Sequence, residues 1–417
     1  MTEPKPVLQV EDLRVHFPVK MGVLQAGGRA VLRLFRDATR RDASSLVRPV
    51  VHAVDGVSFT LQRGEIFGLV GESGCGKTTT GRAVLRLIRA SGGRIQFEGT
   101  DVTELKESEL RERRPRMQIV FQDPHAALNP TMTIGQSIMD PILIHGSGTE
   151  EQAREKTLAV MEEVGLTPAA DLFDKFPGDL SGGQKQRAVI ARAIILRPSL
   201  IVADEPVAML DMSIRARILE LLLDLKRKYG LTYLLITHDL ATAKFVCDRI
   251  AIMYLGRIVE SGPASAVYRN PKHPYTKALI GAIPVPEPGR KRPAGLPRGE
   301  VPDAIRPPSG CRFHPRCPVA LPTCGWDGHD FVDHMELLGR PEGWRAEGRV
   351  ARRWAGVGDP EPLVAWVRSA LEKAPPAMAE AIESVSVVGQ DVTVRFRAPA
   401  SLVPRLVEEI TVECHLY

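Results

Sequence analysis

Gly71-Glu-Ser-Gly-Cys-Gly-Lys-Thr78 is the stretch that decides the fold, because it matches the phosphate-loop pattern G-x-x-x-x-G-K-[ST]. A strand-like apolar segment at residues 65–70 precedes it, and a helix-like run from Thr78 to Arg89 follows. Glycines let backbone N–H groups point inward around phosphate oxygens, and the following helix directs its positive N-terminal end at them. Strand, glycine loop and helix in this order predict an α/β nucleotide-binding fold.

This loop predicts a site for a nucleoside triphosphate and Mg²⁺. The Lys77 ammonium is expected to reach the β- and γ-phosphates, and the Thr78 hydroxyl is expected to ligate Mg²⁺. The predicted nucleotide-binding residues of the loop are Gly71, Ser73, Gly74, Gly76, Lys77, Thr78 and Thr79.

A second apolar segment, Leu200 to Asp204, ends in two acids, Asp204 and Glu205. We expect Asp204 to lie beside Mg²⁺ and Glu205 to polarise the attacking water. Many buried strands end in acids, so this signal is weak alone. Together with the phosphate loop it predicts hydrolysis of the nucleotide. Unbroken apolar strands that alternate with helices, including the segment 231–237, also predict a parallel sheet covered on both faces.

The third signal is Leu180-Ser-Gly-Gly-Gln-Lys-Gln-Arg187, which is typical of a helix start with Ser181 as its N-cap. A capped helix start with glycines can also bind an anion. Placed between the phosphate loop and the acidic strand, it resembles the signature of ABC ATPases. The resemblance implies a P-loop ABC ATPase core and adds nucleotide-binding residues Ser181, Gly182, Gly183 and Gln184.

The rest of that resemblance lies in single residues. Gln122 resembles the Q-loop glutamine that touches Mg²⁺, Asp211 the D-loop aspartate, and His238 the switch histidine near the γ-phosphate. Phe17 stands where the family often places an aromatic ring against adenine. The resemblance implies the catalytic residues Lys77, Gln122, Glu205 and His238, and the Mg²⁺ ligands Thr78, Gln122 and Asp204.

In this family two such domains sandwich two ATP molecules, and the signature of one chain completes the site of the other. Ser181 and Gly183 are therefore expected to contact the nucleotide of the partner. A helical subdomain over about 123–185 is expected to receive a coupling helix of a membrane subunit.

Residues after the predicted ATPase domain indicate which group of ABC ATPases the chain resembles. Residues 270–279 (NPKHPYTKAL) and 308–324 resemble the C-terminal extension of the oligopeptide/dipeptide/nickel importer ATPases, as do residues 120–130 and 253–260 within the core. The chain resembles most the second ATPase subunit of such importers, which implies ATP-driven import of peptides. An importer for nickel or another small solute is the alternative. A soluble ABC ATPase is less favoured, because two cassettes or a long coiled-coil insert are absent from the sequence.

The resemblance also implies partners and a location. The partners would be a second ABC ATPase subunit in a heterodimer, two transmembrane permease subunits and an extracytoplasmic solute-binding protein. The net charge is +5, no basic patch suggests nucleic acid, and no stretch approaches the roughly 20 apolar residues of a membrane span. We expect a peripheral subunit at the cytoplasmic face of the inner membrane.

Three cysteines follow the spacing C-x5-C-x6-C, and a fourth stands near the C-terminus: Cys311, Cys317, Cys324 and Cys414. Four thiolates suit a [4Fe–4S] cluster or a zinc ion, and the spacing differs from the C-x2-C of a zinc ribbon, which favours iron–sulfur. Four free thiols are the other interpretation. The long segment between the third and the fourth cysteine departs from the family pattern.

The sequence divides into an ABC ATPase domain (1–265), a C-terminal extension (266–325 with 410–417) and an inserted small α/β unit (326–409). An irregular basic insert at 20–50 interrupts the first domain, with Arg29, Arg33, Arg36 and Arg40 on one helical face. It suits either anionic lipid or a solvated loop.

Overall fold

The computed structural model describes residues 5–19, 49–146, 148–283, 299–339, 343–354, 360–389 and 391–417. The chain forms two compact units, the first comprising Met1–Ile258 and Pro263–Ser265, the second Val259–Gly262 and Ala266–Tyr417. Most of the predicted basic insert at 20–50 lies outside the described residues, as does much of the Pro- and Gly-rich stretch at 284–310.

The first unit alternates strands and helices. Its strands are β1 (Leu8–Pro18), β2 (Val50–Leu61), β3 (Ile66–Val70), β4 (Gly92–Phe97), β5 (Thr100–Asp101), β6 (Met117–Val120), β7 (Leu200–Asp204), β8 (Thr232–Thr237) and β9 (Arg249–Tyr254). Its helices are α1 (Lys77–Val84), α2 (Glu107–Arg113), α3 (Pro124–Ala127), α4 (Ile134–Ile144), α5 (Glu150–Glu163), α6 (Ala169–Phe173), α7 (Gly182–Ile194), α8 (Met212–Tyr229) and α9 (Leu240–Val246). Short 3₁₀ turns lie at Arg114–Arg116 and Pro177–Asp179.

A parallel sheet in the order β9-β3-β8-β7-β6 forms the centre of this unit. Every residue of β3, β7 and β8 is buried, because helices cover both faces of the sheet. The predicted α/β fold with a covered parallel sheet is confirmed. The predicted strands at 65–70, 200–204 and 231–237 correspond to β3, β7 and β8.

A second, antiparallel sheet has the order β2-β1-β4-β5. Its inward side chains share one core with those of the parallel sheet, including Leu13, Phe59, Phe97 and Leu234. β-bulges interrupt the pairing of β1 with β2, one of them between Val15 and His16 of β1.

The segment between β6 and β7 is helical, from α3 to α7. Side chains at the helix starts stabilise it: Thr133, Thr149 and Ser181 each cap a helix and form a capping box. Gly135 of α4 packs against the ring of Phe173, and a Cβ at Gly135 would lie 2.4 Å from that ring. The helices of this segment therefore approach each other closely.

The second unit contains an antiparallel sheet of order β11-β12-β14-β13, formed by β11 (Trp344–Glu347), β12 (Val350–Trp354), β13 (Ile382–Val388) and β14 (Asp391–Phe396). Its helices are α11 (Pro274–Gly281), α12 (Gly328–Leu337), α13 (Glu361–Leu371) and α14 (Pro376–Glu380), and 3₁₀ turns lie at His314–Arg316 and Pro322–Cys324. β13 and β14 pair as an antiparallel hairpin, and α13 precedes them in the chain. Phe331, Trp344 and Phe396 lie in a core that belongs to this sheet and its helices.

β10 (Arg257–Pro263) and α10 (Ala264–Arg269) carry residues of both units. Near the C-terminus, β15 (Arg405–Val407) and β16 (Ile410–Val412) form a hairpin, and β16 pairs with Glu260 and Ser261. None of the helices in the described part of the chain has the length and apolarity that crossing a bilayer requires.

Candidate nucleotide-binding site

The loop between β3 and α1 has a backbone that only glycine allows at several positions. Gly74 and Gly76 have φ of 80° and 106°, in the left-handed region. A Cβ at Gly76 would lie 2.1 Å from the carbonyl oxygen of Ala53, and one at Gly71 would lie 2.2 Å from that of Met253. The loop therefore wraps tightly over neighbouring strands. Ser73 and Gly74 are exposed at its tip, and Thr79 is half-buried in α1.

Lys77 begins α1 and is 5% exposed. Its ammonium donates to the carbonyl oxygens of Gly71 and Glu72, at 2.8 Å each. The positive charge is thus held across the mouth of the loop, against backbone oxygens. A phosphate group in the loop would meet this charge and the N–H groups at the start of α1.

Thr78 and Asp204 form the next contact. Thr78 Oγ1 donates to Asp204 Oδ1 at 2.9 Å, and Asp204 is 3% exposed at the end of β7. Burial raises the pKa of Asp204 and the adjacent Glu205 charge raises it further, whereas the hydrogen bond from Thr78 lowers it. A hydroxyl and a carboxylate oxygen at this spacing are ligands that suit Mg²⁺.

Glu205 receives contacts from two other loops. Gln122 Nε2 donates to its Oε2 at 3.2 Å, and His238 Nδ1 lies 3.1 Å from the same oxygen. Glu205 has φ of 46°, and its backbone N–H donates to the carbonyl oxygen of Ile236 at 2.9 Å. The three predicted residues Gln122, Glu205 and His238 are therefore brought together.

The signature residues lie at the start of α7. Ser181 Oγ accepts from the Gln184 N–H at 3.3 Å, while Gln184 Oε1 accepts from the Ser181 N–H at 2.9 Å. Ser181 and Gly182 are exposed, and Gly183 is buried. A Cβ at Gly183 would lie 3.0 Å from Ile214 of α8, so this glycine lets the two helices approach.

Asp211 caps α8 and is exposed. Its Oδ1 accepts from the Ile214 N–H at 3.1 Å and from Ser213 Oγ at 2.7 Å. Ile214 in turn lies beside Gly183, so Asp211 adjoins the signature. Phe17, in contrast, lies near the end of β1 with 42% of its surface exposed.

Sequence reasoning missed a group of possible metal ligands in the same unit. The ligand atoms of His16, His52 and Asp55 all lie within 4.8 Å of one another. These residues belong to two strands, so only the strand register could have revealed them.

The four cysteines of the predicted metal site lie in the second unit. Cys311, Cys324 and Cys414 are buried and Cys317 is half-buried, and none forms a disulfide. Burial raises the pKa of Cys311 to about 12 and that of Cys317 to about 11, and the charges of the other thiols add to both shifts. The backbone N–H of Cys311 donates to the Cys324 carbonyl at 2.9 Å. The thiols are thus close enough to affect each other's titration.

Comparisons with known proteins find relatives among ABC transporter ATP-binding proteins. The ABC transporter family matches residues 54–208, and the family described as the oligopeptide/dipeptide transporter C-terminal region matches residues 259–324. A probable peptide ABC transporter ATP-binding protein of Sinorhizobium fredii is 45% identical over 318 residues, covering 76% of this chain and 84% of that protein. The oligopeptide transport ATP-binding protein of Salmonella typhimurium is 44% identical over 323 residues, covering 77% and 91%.

Among solved structures, a dimeric ATP-binding cassette in a post-hydrolysis state with ADP and Pi matches with a TM-score of 0.50 and 25% identity. The match covers 62% of this chain and 98% of that cassette. The phosphate loop, the acidic strand end and the capped signature helix thus occur in one cassette fold. The chain belongs to the family of ABC transporter ATP-binding proteins, in the branch that carries the oligopeptide/dipeptide transporter C-terminal region.

Proposed function

We propose that this chain is the ATP-hydrolysing subunit of an importer for peptides. The observation that carries the proposal is the convergence of Gln122 and His238 on one oxygen of Glu205, next to the Thr78–Asp204 pair. Relatives named as peptide import and oligopeptide transport ATP-binding proteins support the choice of solute. Nickel or another small solute is the alternative.

Each residue of the site has a proposed role. Lys77 and the N–H groups of the loop bind the β- and γ-phosphates, and Thr78, Asp204 and Gln122 hold Mg²⁺, which neutralises phosphate charge when bound. Glu205 orients the attacking water and accepts its proton. His238 contacts the γ-phosphate and, 3.1 Å from Glu205, keeps that carboxylate oriented. Phe17 stacks on the adenine.

The signature is proposed to act in a partner's site. Ser181 and Gly182 are exposed at the start of a 13-residue helix, so the Ser181 hydroxyl and the Gly182 N–H can meet a phosphate brought by a second ATPase subunit. Gln184 and Asp211 adjoin them at the starts of α7 and α8. Gly183, which is buried against Ile214, is proposed to contribute its backbone to the same site. We propose a heterodimer of two ABC ATPase subunits, as the resemblance to the second ATPase subunit of peptide importers implies.

The remaining partners follow from transport. We propose two transmembrane permease subunits that dock on the helical subdomain at about 123–185, and an extracytoplasmic solute-binding protein. The chain would then be a peripheral subunit at the cytoplasmic face of the inner membrane. We also propose the domain division 1–265, 266–325 with 410–417, and 326–409, which gives the sheet β11–β14 to an inserted unit.

We further propose that Cys311, Cys317, Cys324 and Cys414 hold a [4Fe–4S] cluster, with zinc as the alternative. Buried thiols that affect each other's titration are a donor set that fits either group. Four sulfurs about 2.3 Å from one zinc ion would lie roughly 3.8 Å apart. In the described chain no three of these sulfurs fall within 4.8 Å of one another, so a single zinc ion would require the thiols to move closer together.

Solute uptake tests the proposed function. Cells that lack this chain are complemented with the wild type, with Glu205→Gln or with the exposed-site control Glu220→Gln, and uptake of a labelled tripeptide and of ⁶³Ni²⁺ is measured. We expect tripeptide uptake with the wild type and the control and none with Glu205→Gln. If nickel uptake is lost with Glu205→Gln while tripeptide uptake is the same in all three complemented strains, nickel import would replace peptide import as the function.

A further inference from the structure

The register of β1 and β2 places three metal-ligating side chains on one face of the antiparallel sheet. His16 pairs directly with His52, and Arg14 pairs with Asp55, so all four residues share a face. Residues 52 and 55 are three apart and would point to opposite faces of a regular strand. The pairs Val15–Val54 and His16–His52 leave Ala53 without a partner in β1, and this bulge brings His52 and Asp55 to the same side.

The ligand atoms already have the spacing of a metal site. His16 Nε2 lies 3.0 Å from Asp55 Oδ1, and His52 Nδ1 lies 3.7 Å from Asp55 Oδ2. Nitrogen and oxygen ligands about 2.1 Å from a tetrahedral zinc ion lie roughly 3.4 Å apart. The two observed distances end on different oxygens of Asp55 and fall on either side of this value. Since the three ligand atoms lie within 4.8 Å of one another, side-chain rotations would bring them to one ion.

Charge and exposure also suit a cation. The three side chains retain 25%, 32% and 18% of their surface, which leaves access for an ion and for water ligands. Arg14, which pairs with Asp55 across the strands, forms an ion pair with Asp12 at 2.9 Å. The guanidinium charge is thereby compensated by another carboxylate.

We propose that His16, His52 and Asp55 form a binding site for a divalent transition metal of the zinc class, completed by water. Two imidazoles and one carboxylate suit Zn²⁺, Ni²⁺ or Fe²⁺, whereas Mg²⁺ prefers oxygen ligands alone. A metal ion would replace the contact between His16 Nε2 and Asp55 Oδ1, because Nε2 must present its lone pair to the ion. The competing interpretation is a hydrogen-bonded pair that only holds the strands together.

The proposed metal site lies where β1 and β2 pair beside the phosphate loop. The chain leaves β1 and returns to β2 just beyond His16 and His52, where the Val19 N–H donates to the Pro49 carbonyl at 2.9 Å. The bulge residue Ala53 presents its carbonyl to Gly76 of the phosphate loop. A bound metal would therefore cross-link the two strands beside the nucleotide site.

The test is a zinc titration of metal-free full-length protein in excess Mg²⁺, by competition with a chromophoric chelator. The wild type is compared with Asp55→Asn, His52→Ala and the control His145→Ala, which changes a histidine of the helical segment. Asp55→Asn keeps an oxygen that accepts from His16, so it separates metal binding from strand pairing. Zinc that binds the cysteines cancels in the comparison, because all four proteins carry the same thiols.

We expect the wild type and the control to bind one more zinc equivalent than His52→Ala, and Asp55→Asn to bind that equivalent about tenfold or more weakly. The Co²⁺ spectrum of the wild type minus that of His52→Ala should show visible d–d bands without sulfur charge transfer. Zinc should raise the midpoint of thermal unfolding more in the wild type than in Asp55→Asn. Equal zinc stoichiometry and affinity in all four proteins would overturn the proposal.

Discussion

Oε2 of Glu205 lies 3.1 Å from Nδ1 of His238, although the two residues follow different strands of the sheet. Glu205 follows β7, His238 follows β8, and these strands are parallel neighbours. Gln122, which follows the next neighbour β6, reaches the same oxygen at 3.2 Å. The carboxyl ends of parallel strands meet at one edge, which is where open α/β sheets bind ligands. This contact fixes the carboxylate that we propose as the base.

Replacing Glu205 with glutamine tests that role. Glutamine keeps the shape and an oxygen for Gln122, but it cannot accept the proton of the attacking water. We expect ATP hydrolysis to fall roughly 10²- to 10⁴-fold while ATP binding persists. Phosphate release at saturating ATP measures the rate of hydrolysis. Size-exclusion chromatography of Glu205→Gln with ATP should show a trapped dimer. Glu220→Gln on α8 is the control, and wild-type turnover by Glu205→Gln would remove this residue from its role.

Lys77→Ala should impair nucleotide binding or turnover, because it removes the positive charge of the phosphate loop. The ammonium is held by the Gly71 and Glu72 carbonyls, where it would compensate phosphate charge. Without it, we expect binding or turnover to fall by about 10²-fold. Fluorescent nucleotide titration and phosphate release separate the two effects. Lys156→Ala, at an exposed position of α5, should leave both unchanged, and a Lys77→Ala protein with normal values would contradict the assignment.

The close packing of α4 on Phe173 predicts a stability effect. A methyl group at Gly135 would meet the Phe173 ring at 2.4 Å, so we expect Gly135→Ala to lower the free energy of unfolding by about 1–3 kcal/mol. Gly178→Ala is the matched control, because nothing lies within 4 Å of its added Cβ. Urea unfolding followed by circular dichroism compares the two. An unaltered midpoint for Gly135→Ala would mean that α4 and α6 can separate at little cost.

His273 predicts a pH dependence in the second unit. Burial lowers its pKa from 6.5 to about 3, and its Nδ1 accepts from the Tyr275 N–H at 3.1 Å, capping α11. Between these pKa values the unfolded chain binds a proton that the folded chain does not. Stability therefore falls as pH falls through that range, by at most roughly 1.4 kcal/mol per pH unit.

The variant His273→Asn isolates this effect, because asparagine caps a helix and does not titrate. Burial raises the pKa of the neighbouring Glu260, so its contribution has the opposite sign and is present in both proteins. The difference in unfolding free energy between wild type and variant should therefore change between about pH 6 and about pH 4. His329→Asn serves as a control, and a constant difference would show that His273 is not the titrating group.

The cysteine site can be tested by its composition. On anaerobically purified protein we expect about four iron and four sulfide per chain, a visible absorption band, and loss of both in Cys317→Ser. Cys247→Ser, a buried cysteine of the first unit, should retain them. Zinc without sulfide would select the alternative metal, and no metal in any protein would leave four free thiols.

The sequence by itself determined the ATPase fold and most of the candidate site. The phosphate loop, the acidic end of β7 and the signature at α7 are continuous stretches, whose local geometry follows from glycine freedom, apolar runs and helix capping. The helical stretch before β7 was also predictable, since hydrophobic periodicity is a local property.

The tertiary structure alone decided which distant residues meet. Gln122 and His238 converge on Glu205 because three parallel strands end at one edge of the sheet. Cys414 approaches the other thiols because β16 pairs beside Glu260, after the long segment 326–409. His16, His52 and Asp55 share a face only because a bulge shifts the register by one residue. Such contacts depend on strand pairing between remote segments, which no local propensity encodes.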